Sequence, residues 1–220
     1  MNQDHSADRR SFVKMGVGAA AAVVAGASVA PVRAAGGTTV PNLYPSANAK
    51  QFQSIRDDEA MHVAFLVRAL GAMARPKPNF KGLLQPNVRV FATVSQALEN
   101  TGVGAYLGAV PIVFDKQFLA AAGSIALVEA RHAGWLNTLF NALTTTSVKG
   151  IPEVFEKPLT IQEVVNLASP FIQDLNGGPP LTFNMTPSRK NDIAILNFAL
   201  ALEYLEADFY ALNVPRFFPA

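Results

Sequence analysis

Two short motifs in this chain pair a glutamate with a histidine three residues later. The first is Glu59 with His62 and the second is Glu129 with His132. Residues three apart lie on the same side of an α-helix, so each motif presents a carboxylate and an imidazole together. Both pairs fall within an apolar stripe at helical spacing, which predicts that they are buried. A buried carboxylate is costly unless it is paired or bound to a metal ion.

A single motif of this kind is also explained by a buried hydrogen bond between the glutamate and the histidine. That alternative stays open for either motif alone. Its repetition on two matching stripes favours a shared metal site instead. The histidine content also favours a shared metal site, because only His5 lies outside the two motifs.

A second pattern pairs a glutamate with a tyrosine seven residues later, two helical turns along the same face. Glu99 precedes Tyr106, and Glu203 precedes Tyr210. Each glutamate again interrupts an apolar stripe; the alternative is a partly exposed glutamate at the edge of the stripe. The tyrosines are candidates for orienting metal ligands, and ordinary core packing is the alternative role. Glu206 lies one turn beyond Glu203 and is a possible additional ligand.

Together the two patterns give two helices with one glutamate each and two helices with Glu-x-x-His. Helical bundles that hold two iron or two manganese ions use this ligand set. Oxygen-rich ligands with some imidazole favour iron, with manganese second, and the absence of cysteine disfavours a structural zinc or iron–sulfur site. The predicted ligands are Glu59, His62, Glu99, Glu129, His132 and Glu203.

Helical periodicity and the positions of proline and glycine predict four long helices and one short helix, without strands. The predicted helices cover residues 49–74, 87–110, 116–143, 160–175 and 189–213. Pro170 is expected to break the fourth helix, and Pro215 to follow the end of the last. The fold class is therefore all-α.

The N-terminus is predicted to be a signal peptide over residues 1–34. Arg9 and Arg10 precede a weakly apolar run and a small-residue cleavage site, as in twin-arginine export signals. A Sec-type signal and an uncleaved membrane anchor are the alternatives. Cleavage leaves 14 basic and 14 acidic residues, so we expect no nucleic-acid partner. Residues 35–48 are expected to be flexible, and residues 49–220 to form the helical bundle in the periplasm or cell envelope.

Four segments of the chain resemble the bacterial ferritin-like domain family that includes plant desiccation-related proteins. They are residues 58–66, 98–106, 129–133 and 195–207. The resemblance implies a ferritin-like four-helix bundle with an additional short helix. It also implies metal-ligand roles for the six residues predicted above.

The order of the ligands along the chain departs from that family. Here it is Glu-x-x-His, Glu, Glu-x-x-His, Glu, whereas the family begins with a single-glutamate helix. This order predicts a circularly permuted connectivity, which is tolerated where termini lie close together. A homodimer that exchanges its last helix is the competing geometry.

The leading functional hypothesis is a two-metal protein that handles iron with dioxygen or peroxide, as a ferroxidase or another di-iron oxidoreductase. The second hypothesis is a stress- or desiccation-related bundle that binds metal, or serves structurally, without turnover. The third is a partner-binding bundle whose buried glutamates and histidines form only a polar network.

Overall fold

The computed structural model describes residues 48–219. The elements in this range are the helices α1 (Asn48–Leu70), α2 (Val88–Ala109), α3 (Lys116–Leu139), α4 (Ile161–Ala168) and α5 (Arg189–Phe217), and the short strands β1 (Asn79–Phe80) and β2 (Ile172–Asp174). Single turns of 3₁₀-helix follow α1, α2 and α4. The predicted all-α class is confirmed. The predicted signal peptide lies outside the described residues.

Side-chain caps set the first residues of four helices. Asn87, Asp115 and Ser188 each accept hydrogen bonds from backbone N–H groups in the first turn of α2, α3 and α5. Thr160 and Glu163 form a reciprocal capping box at the start of α4. These caps satisfy N–H groups that have no partner inside the helix, so the polar residue before each apolar run fixes where the helix begins.

Two helix pairs form the bundle. In one pair α1 packs along α5, in the other α2 packs along α3, and α2 also contacts α5. Aromatic side chains fill one end of the bundle, where the Phe91 ring lies 4.9 Å from Phe52 and 5.4 Å from Phe209. All three are fully buried. Among the described helices, none has the length and apolar character that a membrane span requires.

The segment before α4 crosses α2 in very close contact. The Leu159 N–H donates to the carbonyl oxygen of Gly104, and a Cβ atom at Gly108 would lie 2.3 Å from the Leu159 carbonyl oxygen. Only glycine leaves space for that carbonyl. The connection between α3 and α4 is therefore held against the bundle.

The buried amide side chains of α5 hold two of the connecting loops. Asn197 accepts from the Arg75 N–H at 2.6 Å and donates to the Met73 carbonyl at 3.0 Å. Asn213 accepts from the Gln85 N–H at 2.9 Å and donates to the Leu83 carbonyl at 2.9 Å. These bonds satisfy loop backbone groups that burial would otherwise leave without water.

Three helix ends differ from the predictions. α5 continues through Pro215 to Phe217, because Phe217 and Phe218 pack against the Phe91 ring and this burial outweighs the lost N–H. α1 and α3 end before Met73 and Leu143, where Gly71 and Asn141 adopt φ of 55° and 57°. Met73 and Leu143 lie inside the predicted helices 49–74 and 116–143. In the structure they follow the ends of α1 and α3, and they are exposed.

The prediction that no strand forms was also wrong in detail. β1 and β2 pair antiparallel, with Asn79 opposite Asp174 and Phe80 opposite Ile172. Pro170 does break the fourth helix as expected, after which the chain extends into β2. With three residues or fewer in each strand, no alternation of apolar and polar residues is long enough to be read from the sequence.

Candidate metal centre

The six predicted ligands meet in the middle of the bundle. α1 supplies Glu59 and His62, α3 supplies Glu129 and His132, and α2 and α5 supply Glu99 and Glu203. The four glutamates are at most 1% exposed, and the histidine side chains are about one-tenth exposed. The described residues thus place four carboxylates and two imidazoles together away from solvent.

The donor atoms divide into two groups that share two glutamates. One group contains Glu59, His62, Glu129 and Glu203, and the other contains Glu59, Glu99, Glu129 and His132. Within each group, the donor atoms all lie within 4.8 Å of one another. Glu59 and Glu129 therefore contribute to both groups of donor atoms. Each group also has one histidine and one glutamate that the other group lacks.

Both histidines point Nδ1 towards the carboxylates. His62 Nδ1 lies 3.0 Å from Glu59 Oε2, 3.2 Å from Glu129 Oε1 and 3.3 Å from Glu203 Oε2. An imidazole nitrogen carries at most one hydrogen, so it satisfies one of these three acceptors. His132 Nδ1 likewise lies 3.1 Å from both Glu99 Oε2 and Glu59 Oε1. Each imidazole Nδ1 thus lies near several carboxylate oxygens but has at most one hydrogen to donate.

Four buried carboxylate oxygens consequently have no hydrogen-bond partner of their own, because three of them compete with other oxygens for an imidazole Nδ1. They are Glu59 Oε1, both oxygens of Glu129, and Glu203 Oε2. Leaving a buried polar atom unsatisfied costs about 1–3 kcal/mol, and more for a charged group. Divalent cations would satisfy these oxygens, and two such ions carry the four positive charges that balance four carboxylates. The donor set therefore fits divalent metal ions.

Proton affinities in the cluster reflect the same lack of counter-charge. Burial, together with the Glu99 carboxylate, raises the pKa of Glu59 from 4.5 to about 7. Burial and the Glu59 carboxylate raise the pKa of Glu129 well above 4.5. Burial lowers the pKa of His132, but Glu99 and Glu59 outweigh it and raise the pKa to about 11. Groups with raised pKa values retain protons when no metal is bound, and a metal ion would have to displace those protons.

The two tyrosines cross between the helices that carry the single glutamates. Tyr106 on α2 donates its hydroxyl hydrogen to Glu203 on α5. Tyr210 on α5 donates to Glu99 on α2 at 2.5 Å. Both rings are buried and both hydroxyls have partners. The sequence placed each tyrosine on the stripe of its own glutamate, and the structure pairs it with the glutamate of the other helix.

Glu206 and Gly102 occupy corresponding positions on α5 and α2. A Cβ atom at Gly102 would lie only 2.7 Å from Glu129 Oε2, so the glycine makes room for that carboxylate. Glu206 is 4% exposed, and its pKa is raised by burial and by the neighbouring Glu129 carboxylate. Glu206 belongs to neither group of mutually close donor atoms, whereas Glu203 does.

Asp58 is a further residue of the site, and it lies outside both Glu-x-x-His motifs. His132 Nε2 lies 3.2 Å from Asp58 Oδ2, on the side of the ring away from the cluster. A carboxylate at this nitrogen fixes the ring orientation and leaves Nδ1 for the cluster. Its position directly before Glu59 was the available signal. The corresponding residue before Glu129 is Val128, so the two halves of the site differ here.

The fold and the site define a class of helical bundle with a buried cluster of carboxylates and imidazoles. The family model for the ferritin-like domain matches residues 11–142, more than half of the chain, and the chain belongs to this family. The match includes α1, α2 and α3 with five of the six predicted ligands, while Glu203 on α5 lies outside it. No curated protein and no solved structure matches the chain.

Proposed function

We propose that this protein binds two iron ions, or two manganese ions, between its four long helices and uses them in redox chemistry. The observation that carries the proposal is the set of two overlapping donor groups in which buried glutamate oxygens lack partners. A polar network without metal would depend on bound protons to satisfy those oxygens, and this favours the metal proposal over the partner-binding alternative.

Each ligand has a separate role in this proposal. Glu59 and Glu129 would serve both metal ions, because both belong to both donor groups. His62 with Glu203 would hold one ion, and His132 with Glu99 would hold the other. Tyr106 and Tyr210 hold the terminal glutamates through their hydroxyl hydrogen bonds. When bound, a pair of ferrous ions supplies two electrons to an oxidant, either dioxygen or peroxide.

The chain's own residues prepare the site for that chemistry. Burial of the glutamates excludes bulk water, which strengthens every electrostatic interaction inside the cluster. Asp58 holds His132 with Nδ1 facing inwards. Glu206 is a buried carboxylic acid beside Glu129, and it is available as an additional ligand or as a proton donor.

Two further proposals concern the chain around the site. Residues 1–34 direct export by the twin-arginine route, which carries folded proteins and so allows metal loading before export. The ligand order reflects a circular permutation in which the C-terminal helix replaces the first helix of the family. The permuted bundle requires α5 to pack along α1, as it does in the described residues.

Elemental analysis of the purified protein tests the metal proposal. We expect about two iron or manganese ions per chain, by analogy with bundles of this ligand set. Replacing both His62 and His132 by Ala should abolish most of the binding, because each metal position loses its imidazole. Circular dichroism should show retained helix content in this variant. Full metal content in the double variant would make the histidines core residues and the site interpretation wrong.

An oxidation assay separates the redox proposal from the non-catalytic alternative. Anaerobic ferrous protein is mixed with dioxygen or with hydrogen peroxide, and ferric formation is followed by absorbance over repeated additions of ferrous ion. We expect turnover beyond the first two ions per chain. Metal binding with a single round of oxidation and no turnover would favour the stress- or desiccation-related bundle.

A further inference from the structure

A small cavity lies beside the site, between α2, α3 and α5. Its volume is about 30 Å³. Each of the three helices contributes alanine to its wall, among them Ala109, Ala122 and Ala199, and the rings of Phe118 and Tyr106 also line it. Short side chains face one another here, and the space between them remains unfilled.

The wall of this cavity is almost entirely apolar. Asp192 is its charged residue, but its two oxygens already accept hydrogen bonds from the backbone N–H groups of Phe114 at 2.8 Å and Asp115 at 2.9 Å. A water molecule needs two to four polar partners to remain in a buried site. Hydrogen peroxide has the same requirement, because it loses its hydrogen bonds on leaving water. The cavity therefore favours a neutral apolar occupant.

The size of the cavity narrows the class of occupant. One water-sized sphere needs roughly 10–15 Å³ by this measure, whereas a cavity that binds benzene is about 150 Å³. A cavity of about 30 Å³ has room for a diatomic molecule or a single xenon atom.

Tyr106 connects the cavity to the carboxylate cluster. Its ring forms part of the cavity wall, and its hydroxyl donates to Glu203. Ala199 lies in the wall one helical turn before Glu203. Tyr106 is thus in contact with both the cavity and a predicted metal ligand.

We propose that this cavity is a binding site for a dioxygen-sized apolar molecule, and that dioxygen held there reaches the metal site past Tyr106. The delivery step rests on the proposed redox function, whereas the binding site itself does not. The cavity selects dioxygen over peroxide as the oxidant supplied by this path.

Xenon tests the cavity in metal-free protein. Alanine methyl groups are observed by NMR while xenon pressure is raised. The methyl resonances of Ala109, Ala122 and Ala199 should shift in a saturable way, and that of the exposed Ala120 on α3 should not. Replacing Ala122 by Leu fills the cavity at little cost in helix propensity, and should abolish the response at Ala109 and Ala199. Ala109→Leu serves the same purpose if Ala122→Leu fails to fold. Absence of a saturable response in the unmodified protein would overturn the binding site.

Oxidation rates test the delivery step. Ferrous protein carrying Ala122→Leu should react several-fold more slowly with dioxygen, with an unchanged rate for hydrogen peroxide. The matched control is Ala120→Leu, the same change at an exposed position of the same helix, and both of its rates should equal those of the unmodified protein. Equal dioxygen rates in all three proteins would refute delivery through the cavity. A protein that binds xenon but no ferrous ion would instead refute the proposed function and leave the cavity site standing.

Discussion

A single methyl group at Gly102 should remove metal binding without unfolding the protein. Gly102 lies on α2 and faces Glu129, a predicted bridging ligand on α3. A Cβ atom at this position would lie 2.7 Å from Glu129 Oε2, whereas ordinary contacts begin at 3.4 Å. In Gly102→Ala the Glu129 carboxylate must therefore shift away from α2 and out of its present position.

Gly102→Ala should change the metal-free stability little and should lower the metal affinity strongly. Alanine is favoured over glycine inside a helix by about 1 kcal/mol, so helix propensity stabilises the metal-free variant. The displacement of the Glu129 carboxylate offsets part of this stabilisation. Its free energy of unfolding should lie within about 1 kcal/mol of the original value. Loss of an outer-shell partner alone weakens metal binding 10–100-fold, so moving a bridging ligand should cost about 100-fold or more.

Anaerobic titration with ferrous or manganous ion measures the affinity, and thermal unfolding in the presence of a chelator measures the metal-free stability. Gly123→Ala is the matched control, because Gly123 lies inside α3 and a Cβ there meets no atom within 4 Å. This control should gain stability and retain full metal affinity. If Gly102→Ala binds two ions as tightly as the control does, then Glu129 is not a ligand in the position described, and the reasoning fails.

Three further predictions concern the ligands, the charge of the cluster and the N-terminus. Glu203→Gln should lower metal affinity more than Glu206→Gln in parallel titrations, because only Glu203 belongs to a donor group. The opposite order would mean that the ligand on α5 is Glu206, one helical turn further along. The pKa of Glu59 is about 7 in the folded metal-free protein against 4.5 normally, so its stabilising contribution is complete below pH 4.5 and is lost as pH rises through 7. The thermal unfolding temperature of metal-free protein in EDTA should accordingly fall between pH 5 and pH 8, and a rise over that range would contradict the charge argument. Replacing Arg9 and Arg10 by Lys should leave the precursor inside the cell, as judged by fractionation and immunoblotting, and normal export of that variant would exclude the twin-arginine route.

Helix periodicity alone determined which side chains belong to the cluster. The spacing of Glu59 and His62, and of Glu129 and His132, places each pair on one face whatever the helix packs against. Capping residues such as Asn87 and Ser188 likewise act within one turn, so the helix starts were predictable. These features depend on contacts between residues close in the sequence.

Packing between helices distant in the sequence decided how the cluster is connected. Sequence spacing cannot fix the relative height and rotation of two helices, because those depend on how their side chains interdigitate. Tyr106 therefore reaches Glu203 rather than Glu99, and His132 reaches Asp58 on another helix. Burial against the Phe91 ring likewise carries α5 through Pro215. The sequence determined the types and helix faces of the predicted ligands, and only the tertiary structure decided which glutamates belong to both donor groups and what lies next to them.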